Sequence, residues 1–403
     1  MAESISRRAS LPLRVLATLT AATVLTAAGQ AIAQAPDAPN VAAKRAACAP
    51  PGSGTQLVLL GTSGGRTSWR GEHAAGISSA VVVDGQVYLV DFGAGWLRRY
   101  FQAGLGAPAP ARGLETLRAA FVTHLHADHV VDYPSLALFG ASDGLADRTV
   151  PVEVLGPGPR GKLPPASGGT RGVADIVAAE NPGPGMVELT EGIYRAFATD
   201  INDNILDSRK PNPHTRIRVT DIALPPGLVV DPNHDPAPEM EPFEIYADEK
   251  VKVSATLVNH APVFPSYAFR FDTKQGSVVF SGDTNVNRNL IRLARDADVL
   301  VHEVIDTVWV DGLYPKPRSP AQEAKAHHLV HAHTAVEDVG AVAEAAKVKV
   351  LVLSHLAPAD DAEQRWHRAR EGFSGRVIVG KDLRWIEVPS GEVRRSSPGQ
   401  SGD

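Results

Sequence analysis

A single cysteine, Cys48, stands in the whole chain, so no internal disulfide can form and no thiolate cage for a metal can be built. Metal ligation therefore has to rest on histidine and carboxylate. An excess of positive charge is also missing: 40 Lys and Arg face 45 Asp and Glu, which argues against a broad polyanion-binding surface. Long apolar runs are scarce, and the one near the start, at 15 to 28, is shorter than the ~20 residues a bilayer requires. What is present is 43% hydrophobic and 21% charged residues over 403 positions, enough to bury a large core as one substantial domain or two small ones.

The first 33 residues carry Arg7, Arg8 and Arg14, then that apolar run, then Ala31-Ile32-Ala33. This is the order of a cleavable export signal, with cleavage expected after Ala33. Ser6-Arg7-Arg8-Ala9-Ser10-Leu11 resembles a twin-arginine signal. The expected product is periplasmic or secreted, with no stable membrane insertion after cleavage.

Residues 34–54 and 391–403 read as a flexible lead-in and tail around a domain at 55–390. Strand-like runs fall at 56–60, 79–83 and 86–91, the last two joined by the hairpin signal Asp84-Gly85. A helix is predicted over 96–103, an apolar run at 117–124 ends in histidine, and a strand at 152–155 precedes the turn Gly156-Pro157-Gly158. The proline-rich stretch 160–248 reads as an irregular insertion. Strands are then predicted at 251–259, 268–271, 277–281, 299–304, 348–354, 375–379 and 385–388, with helices over 287–296 and 335–346. The two halves repeat one plan: strands, a helix, then a strand ending in ligand-type residues. Such a plan predicts an α/β fold, two mixed sheets packed face to face with helices outside and the site at the strand ends.

His124-Leu125-His126-Ala127-Asp128-His129 is the strongest chemical signal. Residues two apart in an extended segment point the same way, so His124 and His126 can face one ion. A turn after Ala127 would swing Asp128 and His129 toward a second. His260, Asp283 and His355 each follow a predicted strand and are the remaining candidates; taken singly, each is equally compatible with an ordinary polar strand end.

In this order the residues resemble the metallo-β-lactamase superfamily, and the resemblance covers nearly the whole chain after the signal. It implies an αββα sandwich with one metal on His124, His126 and His260, the other on Asp128, His129 and His355, and Asp283 bridging. Zinc is the implied metal, although manganese and iron suit the same donors. Asp91, in Leu89-Val90-Asp91-Phe92-Gly93, is implied to support a ligand from behind. His302-Glu303 and His333-Thr334-Ala335 resemble motifs of the ribonuclease Z group, which includes a secreted arylsulfatase-like branch. That resemblance implies a His333–Glu303 acid/base pair. The competing reading of His333 is that it belongs to a solvated His-rich loop with His327, His328 and His331.

Two cations about 3.5–4 Å apart lower the pKa of a water between them toward ~7. Asp128 would orient that water, and His333 with Glu303 would protonate the leaving oxygen. The expected substrate is a small anionic ester, an aryl sulfate or a phosphodiester. RNA is the less favoured partner, because 161–250 holds 8 basic and 15 acidic residues where the group carries a basic arm. An uncharged substrate such as a lactone, β-lactam or haloaromatic would use the same water. A non-catalytic scaffold would show missing ligands, and none is missing; a homodimer stays open. Arg209, Lys210, Arg216 and Arg218 form the one local basic cluster of that stretch, and Gly61-Thr62-Ser63-Gly64-Gly65-Arg66 is a glycine-rich turn with backbone N–H groups to offer an anion.

Overall fold

A computed structural model describes residues 54–65, 73–106, 113–165, 176–360, 363–389 and 392–395. The expected export signal, most of the expected lead-in, Cys48 and the last eight residues lie outside the described residues. No described helix is long and apolar enough to cross a membrane.

Two sheets carry the fold. The first has eight strands: β1 (Thr55–Gly61), β2 (Ser78–Val83), β3 (Gln86–Val90), β4 (Leu117–Phe121), β5 (Val152–Pro157), β6 (Ile217–Ile222), β14 (Arg384–Val388) and β15 (Val393–Arg395), in the order β15-β14-β1-β2-β3-β4-β5-β6. The second has seven: β7 (Phe243–Ala247), β8 (Val251–Leu257), β9 (Tyr267–Thr273), β10 (Ser277–Phe280), β11 (Val299–Ile305), β12 (Val350–Ala357) and β13 (Arg376–Val379), ordered β13-β12-β11-β10-β9-β8-β7. Each sheet mixes antiparallel hairpins with parallel neighbours, β3 to β6 in the first and β10 to β13 in the second.

Strands that are covered on both sides carry near-continuous apolar runs, and β1 has one at 57–60 and β12 one at 350–353. In β1, Leu57 and Leu59 join the core between the sheets, while Val58 and Leu60 join the core under the outer helices. In β12, Val350 and Val352 face inward, and Leu351 and Leu353 face the helices of the other side. This period-two division of continuous apolar runs produces the layered sandwich. Asp84 and Gly85 close the β2–β3 hairpin at φ 46° and 82°, a backbone that Asp-Gly tolerates.

Four details depart from the sequence reading. The stretch 160–248 is no irregular insertion: it supplies helices Met186–Ala196 and Ala198–Leu206 and one edge strand to each sheet, β6 and β7. Gly156 and Pro157 continue β5 rather than turning. Residues 393–395 of the expected tail pair with β14. Helices Thr307–Leu313 and Pro320–His331 follow β11, and the second carries His327, His328 and His331, which the sequence had suggested as a loop.

Candidate metal centre

Every expected ligand arrives from the end of a strand or the turn just beyond it. After β4 the chain stays extended through His126, which caps helix Ala127–Val130. His124 and His126 therefore precede the helix, while Asp128 and His129 ride on its first turn. His260 follows β8 and Asp283 follows β10. His355 lies within β12 at φ 48°, a left-handed backbone uncommon for a side chain of this size. The pairing register shifts here, with His302 opposite Leu353 but Val304 opposite Leu356, so β12 carries one extra residue. This bulge re-aims His355 into the site and stores strain there.

The groups converge into two sets sharing Asp283: His124, His126, His260 and Asp283, and Asp128, His129, Asp283 and His355, each with its ligand atoms within 4.8 Å of one another. Asp283 Oδ2 lies 3.8 Å from His124 Nε2, 3.7 Å from His260 Nε2 and 3.2 Å from His355 Nε2. Its Oδ1 is 3.4 Å from His129 Nε2. Asp128 Oδ2 completes the second set at 3.2 Å from His355 Nε2 and 3.6 Å from His129 Nε2.

Whether these residues suit metal ions can be judged from the rear of each ring. His129 Nδ1 donates to Asp91 at 2.9 Å, His260 Nδ1 donates to the Ala332 carbonyl at 2.8 Å, and His124 Nδ1 meets Thr123 Oγ1 at 3.2 Å. Committing Nδ1 outward leaves Nε2 a lone pair pointing inward, which is how ligating imidazoles are held. His124 Nε2, His129 Nε2 and Asp283 Oδ1 are buried without a hydrogen-bond partner, a costly state that a cation relieves. The donor set fits two divalent ions.

The protonation pattern carries the same stress. Burial pushes His124 and His260 well below the usual imidazole value, and His126 down to about 4. His129 is also buried, but Asp283, Asp91 and Asp128 outweigh that and hold it well above its usual value. Burial acts to raise Asp283, yet the surrounding His355 and His129 keep it well below the carboxylate range. Carboxylates and imidazoles here compete for protons that a pair of cations would displace.

Asp91 sits behind the ligands at φ 62°. Besides His129, its carboxylate accepts from the Thr123 N–H at 2.8 Å and from the Thr123 hydroxyl. Thr123 thus ties Asp91 to both His124 and His129, a role with no signature in the sequence. Glu303, inside β11, accepts at Oε1 from His333 Nδ1 at 3.2 Å and from the backbone N–H groups of Thr284 and Thr334 at 3.1 and 3.0 Å. Burial disfavours a charged His333, but Glu303 and then Asp283 overcome it and raise the ring to about 9. His333 is buried beside the ligands rather than in a solvated loop. His302 stands apart, its Nδ1 donating to the Glu303 carbonyl.

The glycine-rich turn serves the site in another way than as an anion cradle. Gly64 N–H donates to the Leu356 carbonyl and Gly65 N–H donates to Asp128 Oδ2 at 2.9 Å, so the turn braces a ligand. A Cβ on Gly64 would stand 2.4 Å from His355 Nδ1. Three of the four residues of the basic cluster have local partners: Lys210 bonds Ser142, Arg216 bonds the Ala146 carbonyl, and Arg218 pairs with Glu153.

Comparison with known proteins agrees with this geometry. The model of the metallo-beta-lactamase superfamily matches residues 74–138. The ribonuclease Z of Mycobacterium avium is 31% identical over 337 residues, covering 83% of this chain and 98% of that protein. That of Mycobacterium bovis BCG Pasteur is 29% identical over 336 residues, with the same coverage. Among solved structures, human tRNase Z, short form, superposes with a TM-score of 0.51 at 19% identity, over 83% of this chain and 99% of that one. Fold and site together define a metal-dependent hydrolase of the metallo-β-lactamase superfamily. Within it, the chain belongs to the ribonuclease Z family.

Proposed function

We propose that the protein is a binuclear zinc phosphodiesterase of the ribonuclease Z type. The observation that carries this reading is the convergence of two ligand sets on Asp283 beside the buried His333–Glu303 pair. His124, His126 and His260 would hold one ion, Asp128, His129 and His355 the other, with Asp283 between. Bound there, the ions would lower the pKa of a water and offset the charge of the ester oxygens. Asp128, steadied by Gly65 N–H, orients the attacking group. His333 keeps a proton at the leaving oxygen, and Glu303, fixed by two backbone N–H groups, holds that imidazole in place.

The sequence favoured a small anionic ester, an aryl sulfate or a phosphodiester, from the arylsulfatase-like side of the ribonuclease Z group. The relatives named ribonuclease Z shift the weight to the phosphodiester and to RNA, which the sequence placed second. An exported aryl sulfatase is the second reading, since the apolar cleft above the site suits an aryl group on either ester. Export itself is proposed from the order of charged, apolar and small residues in 1–33. The test is turnover of matched aryl phosphodiester, aryl sulfate and RNA substrates by the zinc-loaded protein without residues 1–33. Diester or RNA cleavage without sulfate cleavage supports the first reading, and sulfate cleavage alone supports the second.

A further inference from the structure

A cleft of about 630 Å³ opens directly onto the ligands, with His126, Asp128, Asp283, His333 and His355 in its floor. Its size lies within the range of small-molecule sites. One wall is built by the two helices that the sequence did not foretell, Thr307–Leu313 and Pro320–His331. These helices and the residue that follows the first contribute Trp309, Leu313, Tyr314 and Leu329, and among the described residues Lys325 is the one Lys or Arg in the lining. Trp309, Tyr314 and Leu329 pack on a buried cluster of Ile305, Val310, Ala326 and Ala357, which anchors the wall to the ends of β11 and β12. Its aromatic surface is therefore held in position before any substrate arrives, which limits the ordering cost of binding.

We infer that this wall is a specificity pocket for a planar ring attached to the scissile ester, so that the site selects compact ring-bearing diesters, aryl or nucleoside. The inference rests on the phosphodiesterase reading and adds the substrate class. Three features carry it. The cleft is continuous with the ligand floor, so an ester oxygen at the ligands places its substituent against the wall. Trp309 and Tyr314 offer ring faces and edges, which attract planar groups beyond simple burial. A continuous polyanion would ask for a row of Lys or Arg along its path, and among the described residues the lining holds Lys325 alone of that kind, with His333 down at the ligand floor.

The test is binding to the zinc-loaded protein by calorimetry, with phenylphosphonate and methylphosphonate as probes. Both present the same anionic head to the ligands, and one adds a ring. The wild type is expected to bind the phenyl probe roughly tenfold more tightly, the factor that about 1.4 kcal/mol of ring burial supplies. Trp309→Ala should erase that preference and leave methylphosphonate binding unchanged; Leu313→Ala, at a more exposed position, should reduce it with less risk to folding. Equal binding of the two probes by the wild type, or an unaltered preference in both variants, would overturn the inference. Turnover of methyl 4-nitrophenyl phosphate by the same preparations tests the phosphodiesterase reading separately. Failure there with the ring preference intact removes the reaction, and the reverse removes only the pocket.

Discussion

Asp283 is the side chain on which both ligand sets depend, because its two oxygens reach imidazoles of each. Asp283→Ala should leave the folded protein with neither metal, measured as metal content per chain after dialysis, and without turnover. His333→Gln should differ: the metals stay, while turnover falls roughly 10²–10⁴-fold, most for esters with poor leaving groups. If His333→Gln instead empties the centre, its role as a proton carrier is wrong. The ring also makes a prediction for the metal-free protein. Burial opposes charge on His333, yet Glu303 lifts it from 6.5 to about 9. A folded-state value above the unfolded one means the pair contributes stability in full below about 6.5 and loses it as pH rises through about 9. Histidine NMR of the metal-free protein should show this titration, and Glu303→Gln should move it down.

Legibility at this scale was high for the ligands and low for what stands behind them. The seven candidate ligands, which the structure brings together, were readable because the chemistry confines such residues to His and Asp at strand ends. Thr123, the Thr284 and Thr334 N–H groups and Gly65 N–H were not, since a backbone donor has no side chain to betray it and one threonine resembles any other.

Elements decide how firmly those residues are held. The turn Gly61–Gly65 joins the end of β1 to the end of β12, and Gly64 leaves no room for a Cβ beside His355. Gly64→Ala should therefore displace His355 and weaken the Asp128–His129–His355 ion selectively, seen as loss of one of two metals in a chelator competition. Asp91→Asn weakens the acceptor behind His129 and should cost roughly 10–100-fold in metal affinity with the fold intact by circular dichroism. Most strands were legible from their apolar runs, but the edge strands β6, β7 and β15, which lie in 160–248 and in the expected tail, were not. The helices at Thr307–Leu313 and Pro320–His331 were not: the first exposes Val308 and buries only Val310, and the second buries only Ala326, so neither has the wide apolar stripe that marks a helix in sequence. The helices at Met186–Ala196 and Ala198–Leu206 hid behind neighbouring prolines for a related reason, the second burying no residue at all.

For the whole molecule, the sandwich places all ligands on one edge where the two sheets meet, which is why the sequence could fold its halves alike and still complete the centre. β1 and β12 each divide their residues between an inner and an outer core, a division that the structure shows and that the sequence reading, which had only the apolar runs, did not assign. Charge is the property that bears on substrate at this scale. With 8 basic against 15 acidic residues over 161–250, and Lys210, Arg216 and Arg218 already holding local partners, RNA binding should be weak, with a shallow dependence on salt compared with proteins that neutralise many phosphates. A steep salt slope would point to a basic clamp elsewhere and favour a polymeric substrate.

The most direct test of the account is metal content measured beside turnover of methyl 4-nitrophenyl phosphate, for the zinc-loaded wild type and Asp283→Ala. Two ions per chain and diester cleavage in the wild type, with both lost in the variant, is the result expected from a centre organised around Asp283. Unchanged cleavage by Asp283→Ala, or by a protein stripped of metal, would contradict it.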